Sequence, residues 1–251
     1  MNKNLVIVRA GDSSLHPTWK SSNQNFDIAV SYYGKDSNKF AEDFKINFVG
    51  TKFHGIYDSI ISNQISIENY NYIWLPDDDI STTGENINKM FDIMQEFNLI
   101  LAQPALYNND YYSHITTLKI DAFRLRYTNF VEIMAPCLSK EFFKHILPTM
   151  MENRSGWGLD FLWPVLAGPM KTGIIDSTPV WHTRPVGRDY SWLGVNPKKE
   201  GRQLMQKYNL SNSVKNLHGV LHNNTVVDLS KRNMKEYIKQ DEYELLSMPH
   251  L

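Results

Sequence analysis

A single cysteine, Cys137, in 251 residues excludes any disulfide within the chain and gives no sign of an oxidising compartment. It lies in the apolar run Ile133-Met134-Ala135-Pro136-Cys137-Leu138, where a small buried hydrophobe is expected rather than a reactive thiol. No charge excess is present: 26 Lys and Arg face 27 Asp and Glu, a net charge of −1. Without a field of one sign, binding to nucleic acid or an acidic membrane is disfavoured. Long apolar runs are missing too. The stretch Leu5-Val6-Ile7-Val8 is too brief for a secretion signal, and no window approaches the ~20 apolar residues of a membrane helix. These absences predict a cytoplasmic protein. No repeat or low-complexity tract interrupts the chain. The 42% of hydrophobic residues suffices for one large domain with an ordinary core.

Short apolar runs alternate with helical patterns over the first hundred residues. Leu5 to Val8, ended by Gly11-Asp12-Ser13-Ser14, fits a strand buried on both faces. Phe26 to Tyr33 is a second strand, and Tyr72-Ile73-Trp74-Leu75 a third. Between Gly50 and Asn63, residues Phe53, Ile56, Tyr57, Ile60 and Ile61 recur at helical spacing. So do Ile87, Met90, Phe91, Met94 and Phe97, after the capping candidates Ser81-Thr82-Thr83. Leu99 to Ala102 reads as a further strand, and the alternation predicts a mixed α/β sheet. Residues 111 to 138 suggest antiparallel strands. Helices are expected over Lys140 to Met151, Leu159 to Leu166, Gly201 to Tyr208 and Met234 to Leu246, with a short strand at Gly173-Ile174-Ile175. One domain over residues 1–195 with a partly helical extension over 196–251 is the predicted organisation.

Three features carry chemistry. The third strand stops at Asp77-Asp78-Asp79, and ligands of open α/β sheets bind beyond the carboxyl ends of strands. Adjacent carboxylates repel unless a cation compensates. Residues at i and i+2 of an extended segment point the same way, so Asp77 and Asp79 can share a hard ion, Mg²⁺ or Mn²⁺, while Asp78 faces elsewhere. A solvated acidic turn is the plainer alternative. In Ser155-Gly156-Trp157-Gly158-Leu159-Asp160, glycines let the backbone approach a ligand closely, and Trp157 offers a flat face for a sugar ring. Asp160 is expected near a helix start, where the dipole lowers its pKa and keeps it an anionic base. The alternative is a turn with a core tryptophan. His182, after Val180-Trp181, can complete a coordination sphere. Arg184 and Arg188 follow in a Pro/Gly-bounded loop able to meet a diphosphate, or else merely exposed.

Taken in order, these motifs resemble those of the DUF707 family, a glycosyltransferase-type branch of the GT-A superfamily. The similarity includes Trp74-Leu75-Pro76-Asp77-Asp78-Asp79, Gln103-Pro104-Ala105-Leu106, His114-Ile115-Thr116-Thr117 and Phe130-Val131-Glu132-Ile133-Met134-Ala135-Pro136. It continues with Gly156-Trp157-Gly158-Leu159-Asp160, Gly173-Ile174-Ile175-Asp176 and Val180-Trp181-His182. The set covers about residues 70 to 185, and its order makes it more specific than any single motif. Gly50-Thr51-Lys52-Phe53 looks like the family's basic segment before a helix. Pro76 departs from the pattern and leaves open which two aspartates hold the metal.

The resemblance implies a GT-A fold, with a Rossmann-like nucleotide-binding half and an acceptor half around one sheet. It also implies a nucleotide-diphosphate sugar, foremost a UDP-sugar, and a glycan acceptor. By analogy Asp77, Asp79 and His182 are metal candidates, Asp160 is the base of an inverting enzyme, and Glu132 is its rival. Lys52, Asp78 and Arg184 are expected on the donor, Asp12 and Tyr33 at its base or ribose, and Trp157, Gly158 and His114 on the acceptor side. A role in surface polysaccharide synthesis, with peripheral contact to a lipid-linked acceptor, fits this picture. The competing classes are a non-catalytic carbohydrate- or nucleotide-binding protein and a metal-dependent phosphohydrolase.

Overall fold

The computed structural model describes residues 2–36, 38–40, 44–108, 111–185 and 194–231. Its organising element is β1 (Asn4–Ala10), buried along its whole length. Alternation explains why so short a run is decisive. Leu5 and Ile7 enter one hydrophobic cluster, and Val6, Val8 and Ala10 enter another on the opposite face. Each leucine, isoleucine and valine among them contributes about 1.5–3 kcal/mol relative to exposure. Two parallel neighbours flank it, β2 (Phe26–Tyr32) and β4 (Tyr72–Trp74). Beyond β2 lies β3 (Lys45–Asn47), also parallel and not foreseen from the sequence.

The remaining strands are β5 (Ile80–Ser81), β6 (Leu101–Leu106), β7 (Phe123–Thr128), β8 (Cys137–Ser139), β9 (Thr172–His182), β10 (Asn216–Leu221) and β11 (Val226–Asp228). Sheet order is β11-β10-β7-β9-β6-β8-β4-β1-β2-β3, with β5 paired to β9. Because β8 is antiparallel to both β4 and β6, and β9 is parallel to β6, strands β1 to β4, β6 and β9 all run the same way. Their carboxyl ends therefore share one edge.

One face is covered by α2 (Gly84–Glu96), capped by the Thr83 hydroxyl accepting from Asn86 N–H as the sequence suggests. The other carries α1 (Lys52–Ile61), α3 (Lys140–Ile146), α4 (Leu159–Ala167) and α5 (Pro197–Lys207). The helix expected to Met151 tightens instead into a 3-10 turn from Leu147, with Pro148 at its start. Residues 111 to 138 do supply antiparallel strands, but only β7 and β8. The strand expected at Gly173–Ile175 runs on to His182. Residues 216–228, within the extension expected to be partly helical, extend the sheet as β10 and β11. Cys137 is buried, and burial pushes its thiol up. Arg188 and the helix expected at Met234 to Leu246 lie outside the described residues.

Candidate active site

The acidic turn leaves β4 at the carboxyl edge, and its three side chains part company. Asp77 accepts from Lys52 Nζ at 2.7 Å and is the most open of the three, with 40% of its side chain exposed. Desolvation pushes its carboxyl up, with Lys52 opposing. Asp78 is buried. Its Oδ2 accepts from Gly11 N–H at 2.8 Å and from the Tyr33 hydroxyl at 3.3 Å, and its Oδ1 from Arg184 at 3.0 Å. The middle aspartate thus ties the turn to the loops after β1 and β2.

Asp79 is also buried, and its Oδ2 lies 3.3 Å from His182 Nε2. Burial would raise this carboxyl, but His182 and Arg184 outweigh it and hold the pKa below the ordinary value. His182 Nδ1 lies 2.7 Å from the Tyr111 carbonyl. A carbonyl only accepts, so Nδ1 carries hydrogen and Nε2 faces the carboxylate. Burial would lower the imidazole pKa, yet Asp79 and the Tyr111 carbonyl raise it overall. The second Asp79 oxygen, Oδ1, is buried without a partner.

Among the described residues no group of three or more His, Cys, Asp or Glu side chains converges as a metal cage. The donor set nonetheless fits a divalent ion. Asp79 offers an orphaned oxygen, the His182 nitrogen stands beside it, and a hydrogen bond behind the ring orients it. Mg²⁺-like ions need only one or two protein carboxylates when substrate phosphates supply the rest. One Asp77 oxygen, Oδ1, is engaged by Lys52.

Lys52 opens α1 and donates from Nζ to Asp77, to the Ile133 carbonyl at 2.8 Å and to the Met134 carbonyl at 2.8 Å. An ammonium has three hydrogens, so a phosphate would have to displace one of these partners. Burial lowers its pKa, opposed by Asp77. Arg184 bridges Asp78 and the Ser13 carbonyl. Asp12 accepts from the Tyr32 hydroxyl and from Lys35 N–H and Asp36 N–H, linking the first two strand-end loops. Tyr33 stands at the same edge, 43% exposed, its ring centroid 5.1 Å from the Arg9 guanidinium.

Arg9 itself escaped the sequence reading. Buried in β1, it donates to the carbonyls of Ser31, Phe48 and Gly50, and so holds the segment that leads to Lys52. Desolvation lowers its pKa to about 10. Gly55 is required beside it, since a Cβ there would lie 2.8 Å from Arg9 Nε.

The second half of the site gathers around Glu132 and Asp160. Glu132 N–H donates at 2.5 Å to Oε1 of Gln103, within β6. The Ser113 hydroxyl serves its carboxyl, while Oε2 is buried without a partner. Burial, with Asp160 and Asp77 adding, pushes this carboxyl up to about 7. Asp160 begins α4, and Gly158 N–H donates to its Oδ1 at 3.2 Å. Backbone N–H groups do favour the anion, as the helix-start argument expects, but desolvation wins and raises the pKa to about 7. The expected depression is therefore corrected to an elevation.

Pro164, inside α4, has no N–H to give the Asp160 carbonyl. That carbonyl instead accepts from Val131 N–H at 3.4 Å, which ties α4 to the segment carrying Glu132. Gly158 has φ +97°, and a Cβ there would meet Leu204 of α5 at 2.9 Å, so its glycine serves conformation and helix packing. The Trp157 Cβ lies similarly against Gly201 of α5, and its side chain is half-buried. The His114 ring packs on Phe130 at 4.5 Å, and burial lowers its pKa. The loop carrying Tyr111, Ser113 and His114 is fastened by a buried pair. Arg126 of β7 meets Asp176 of β9 through two 2.9 Å bonds and also holds the Thr116 and Leu118 carbonyls.

No family model matches the sequence, and no curated protein does. Solved structures do resemble the fold. TarS residues 1–349 of S. aureus in complex with UDP-GlcNAc superposes with a TM-score of 0.53 at 10% identity, covering 82% of this chain and 65% of that one. GalNAc-T7 with UDP, GalNAc and Mn²⁺ superposes with a TM-score of 0.60 at 9% identity, covering 81% and 48%. The chain spans less than two thirds of either structure's length. Both are GT-A glycosyltransferases, and the fold of this chain is GT-A-like, one large mixed sheet with helices on both faces. No described helix is long and apolar enough to cross a membrane.

Proposed function

We propose that the protein is a metal-dependent glycosyltransferase that moves a sugar from a nucleotide diphosphate, foremost a UDP-sugar, to a hydroxyl of a glycan acceptor. The observation that supports this reading is the Asp79–His182 pair, with its orphaned buried oxygen, on the sheet edge where Asp160 begins its helix. Asp79 and His182 would hold the ion, Mn²⁺ or Mg²⁺, whose contribution is to neutralise charge developing on the departing diphosphate. Asp77 and Lys52 form the adjacent wall, and Asp78 with Arg184 fixes the turn beneath it.

Asp160 performs the proton transfer. Its carboxylate takes the acceptor hydroxyl's proton as that oxygen bonds to the anomeric carbon, and the bond from carbon to the diphosphate breaks with its electron pair on the leaving group. A single displacement of this kind inverts the anomeric centre. A pKa raised to about 7 suits a general base at neutral pH. Peripheral work on a lipid-linked acceptor in the cytoplasm, within surface polysaccharide assembly, is consistent with this scheme.

Calorimetry with a nucleotide panel, with and without Mn²⁺, tests the reading. UDP should bind only with the metal present, and Asp79→Ala should abolish that dependence while the protein still folds. Turnover of a sugar nucleotide in excess EDTA would contradict the scheme. A non-catalytic carbohydrate-binding protein ignores both nucleotide and metal, and a phosphohydrolase releases inorganic phosphate.

A further inference from the structure

Glu132 is left without a task once Asp160 is the base, yet its surroundings are specific. Its backbone is held from two sides: its own N–H by Gln103 and that of Val131 by the Asp160 carbonyl. Its carboxyl feels Asp160 from α4 on one hand, and His182 of β9 and Asp77 of the acidic turn on the other. It is therefore within electrostatic reach both of the group that activates the acceptor and of the groups that face the diphosphate. A sugar transferred from one to the other passes this neighbourhood.

The chemistry of the carboxyl points the same way. Only 6% of Glu132 is exposed, and with Ser113 serving one oxygen, Oε2 is closed off without a donor. Leaving a buried acceptor unpaired is unfavourable, so the site is incomplete until a donor arrives. Among the described residues no basic side chain supplies it: Lys52, Arg184 and His182 are engaged with Asp77, Asp78 and Asp79. A sugar hydroxyl is a donor of the right kind, and it can also accept from a carboxyl that carries a proton. Sites that hydrogen-bond a substrate hydroxyl discriminate strongly against analogues that cannot present it.

We infer that Glu132 recognises the transferred sugar: Oε2 receives a ring hydroxyl of the donor, making Glu132 a specificity-determining residue and leaving proton abstraction to Asp160. The inference rests on the transferase reading. Its test is calorimetry on the full chain with Mn²⁺, using UDP alone and then UDP-glucose, UDP-galactose, UDP-GlcNAc and UDP-GalNAc. In Glu132→Ala the ratio of Kd between the weakest and tightest sugar nucleotide should shrink at least tenfold, while the Kd for UDP moves less than twofold. Glu132→Gln keeps the volume and one acceptor and should shrink the ratio about threefold; it decides the matter if the alanine variant loses UDP binding through misfolding. An unchanged ratio in a glutamine variant that still binds UDP overturns the inference and leaves the transferase reading standing. A wild-type protein that binds neither UDP nor any of the four overturns both.

Discussion

The two halves of the site treat their carboxylates in opposite ways. In the acidic turn, Asp77 has Lys52, Asp78 has Arg184, and Asp79 has His182. Among the described residues no basic side chain forms an ion pair with Glu132 or Asp160, and both carboxyls are pushed up to about 7. Pairing keeps the turn pre-formed, ready for charged ligands. Lack of pairing keeps the second pair near the point where a proton changes hands. Titratable groups whose environments differ in this way commonly divide binding from acid–base work.

The largest expected effect breaks the comparison at its reactive side. Asp160→Asn should lower kcat by about 10²–10⁴ and leave the Kd for UDP with Mn²⁺ within twofold. Unchanged transfer would move the base elsewhere. The wild-type rate should also climb with pH through an apparent pKa near 7, a limb the variant lacks.

The same residue sharpens the contrast through stability. Below about pH 4 Asp160 is protonated in the folded and unfolded chain alike. Between there and about 7 the unfolded chain has released the proton and the folded one has kept it. Folding then takes up a proton, so the stability contribution falls as pH rises, and above 7 the penalty of a buried charge is constant. Asp160→Asn should match the wild-type melting temperature at pH 4 and exceed it at pH 8; the reverse order would remove desolvation as the cause.

On the paired side, Lys52→Met strips the donor from Asp77 and from two carbonyls. A loss of about 1–3 kcal/mol in denaturant unfolding is expected, with metal-dependent UDP binding weakened as well. Binding that tightened instead would show that Lys52 competes with the nucleotide. The smallest change is expected for Pro164→Ala, where lost packing and a regained helix hydrogen bond nearly offset. Stability should stay within about 1 kcal/mol, while kcat falls a few-fold with an unchanged Kd for UDP.

What could be read beforehand follows the same division. The first strand, the turn after the third, the helix over Leu159 to Leu166 and the apolar run ending at His182 all reside in contiguous residues whose pattern carries the signal. Arg9 does not, because an arginine closing an apolar run looks like the point where a strand meets water. Only the carbonyls of Phe48 and Gly50, folded back over it, make it a buried anchor. Strand β10 was equally hidden, since Asn216 to Leu221 has weak periodicity and gains its structure from pairing with distant β7. The elevation of Asp160 depended on a sum of burial and backbone donors that neighbouring letters do not reveal. Gln103 was noticed as part of a motif, but nothing local could say that its side chain holds the backbone of Glu132.

Pro164 has a consequence that reaches beyond its helix. A self-contained helix could drift against the sheet without breaking any bond of its own. By denying α4 one internal link, the proline lets the helix borrow a link from the strand-end segment next door, which couples the positions of the candidate base and the sugar-facing carboxyl. Where a misplacement of about 1 Å can cost a hundredfold in rate, a shared mount of this sort sets the spacing of the two groups from the backbone and leaves their side chains free to respond to substrate.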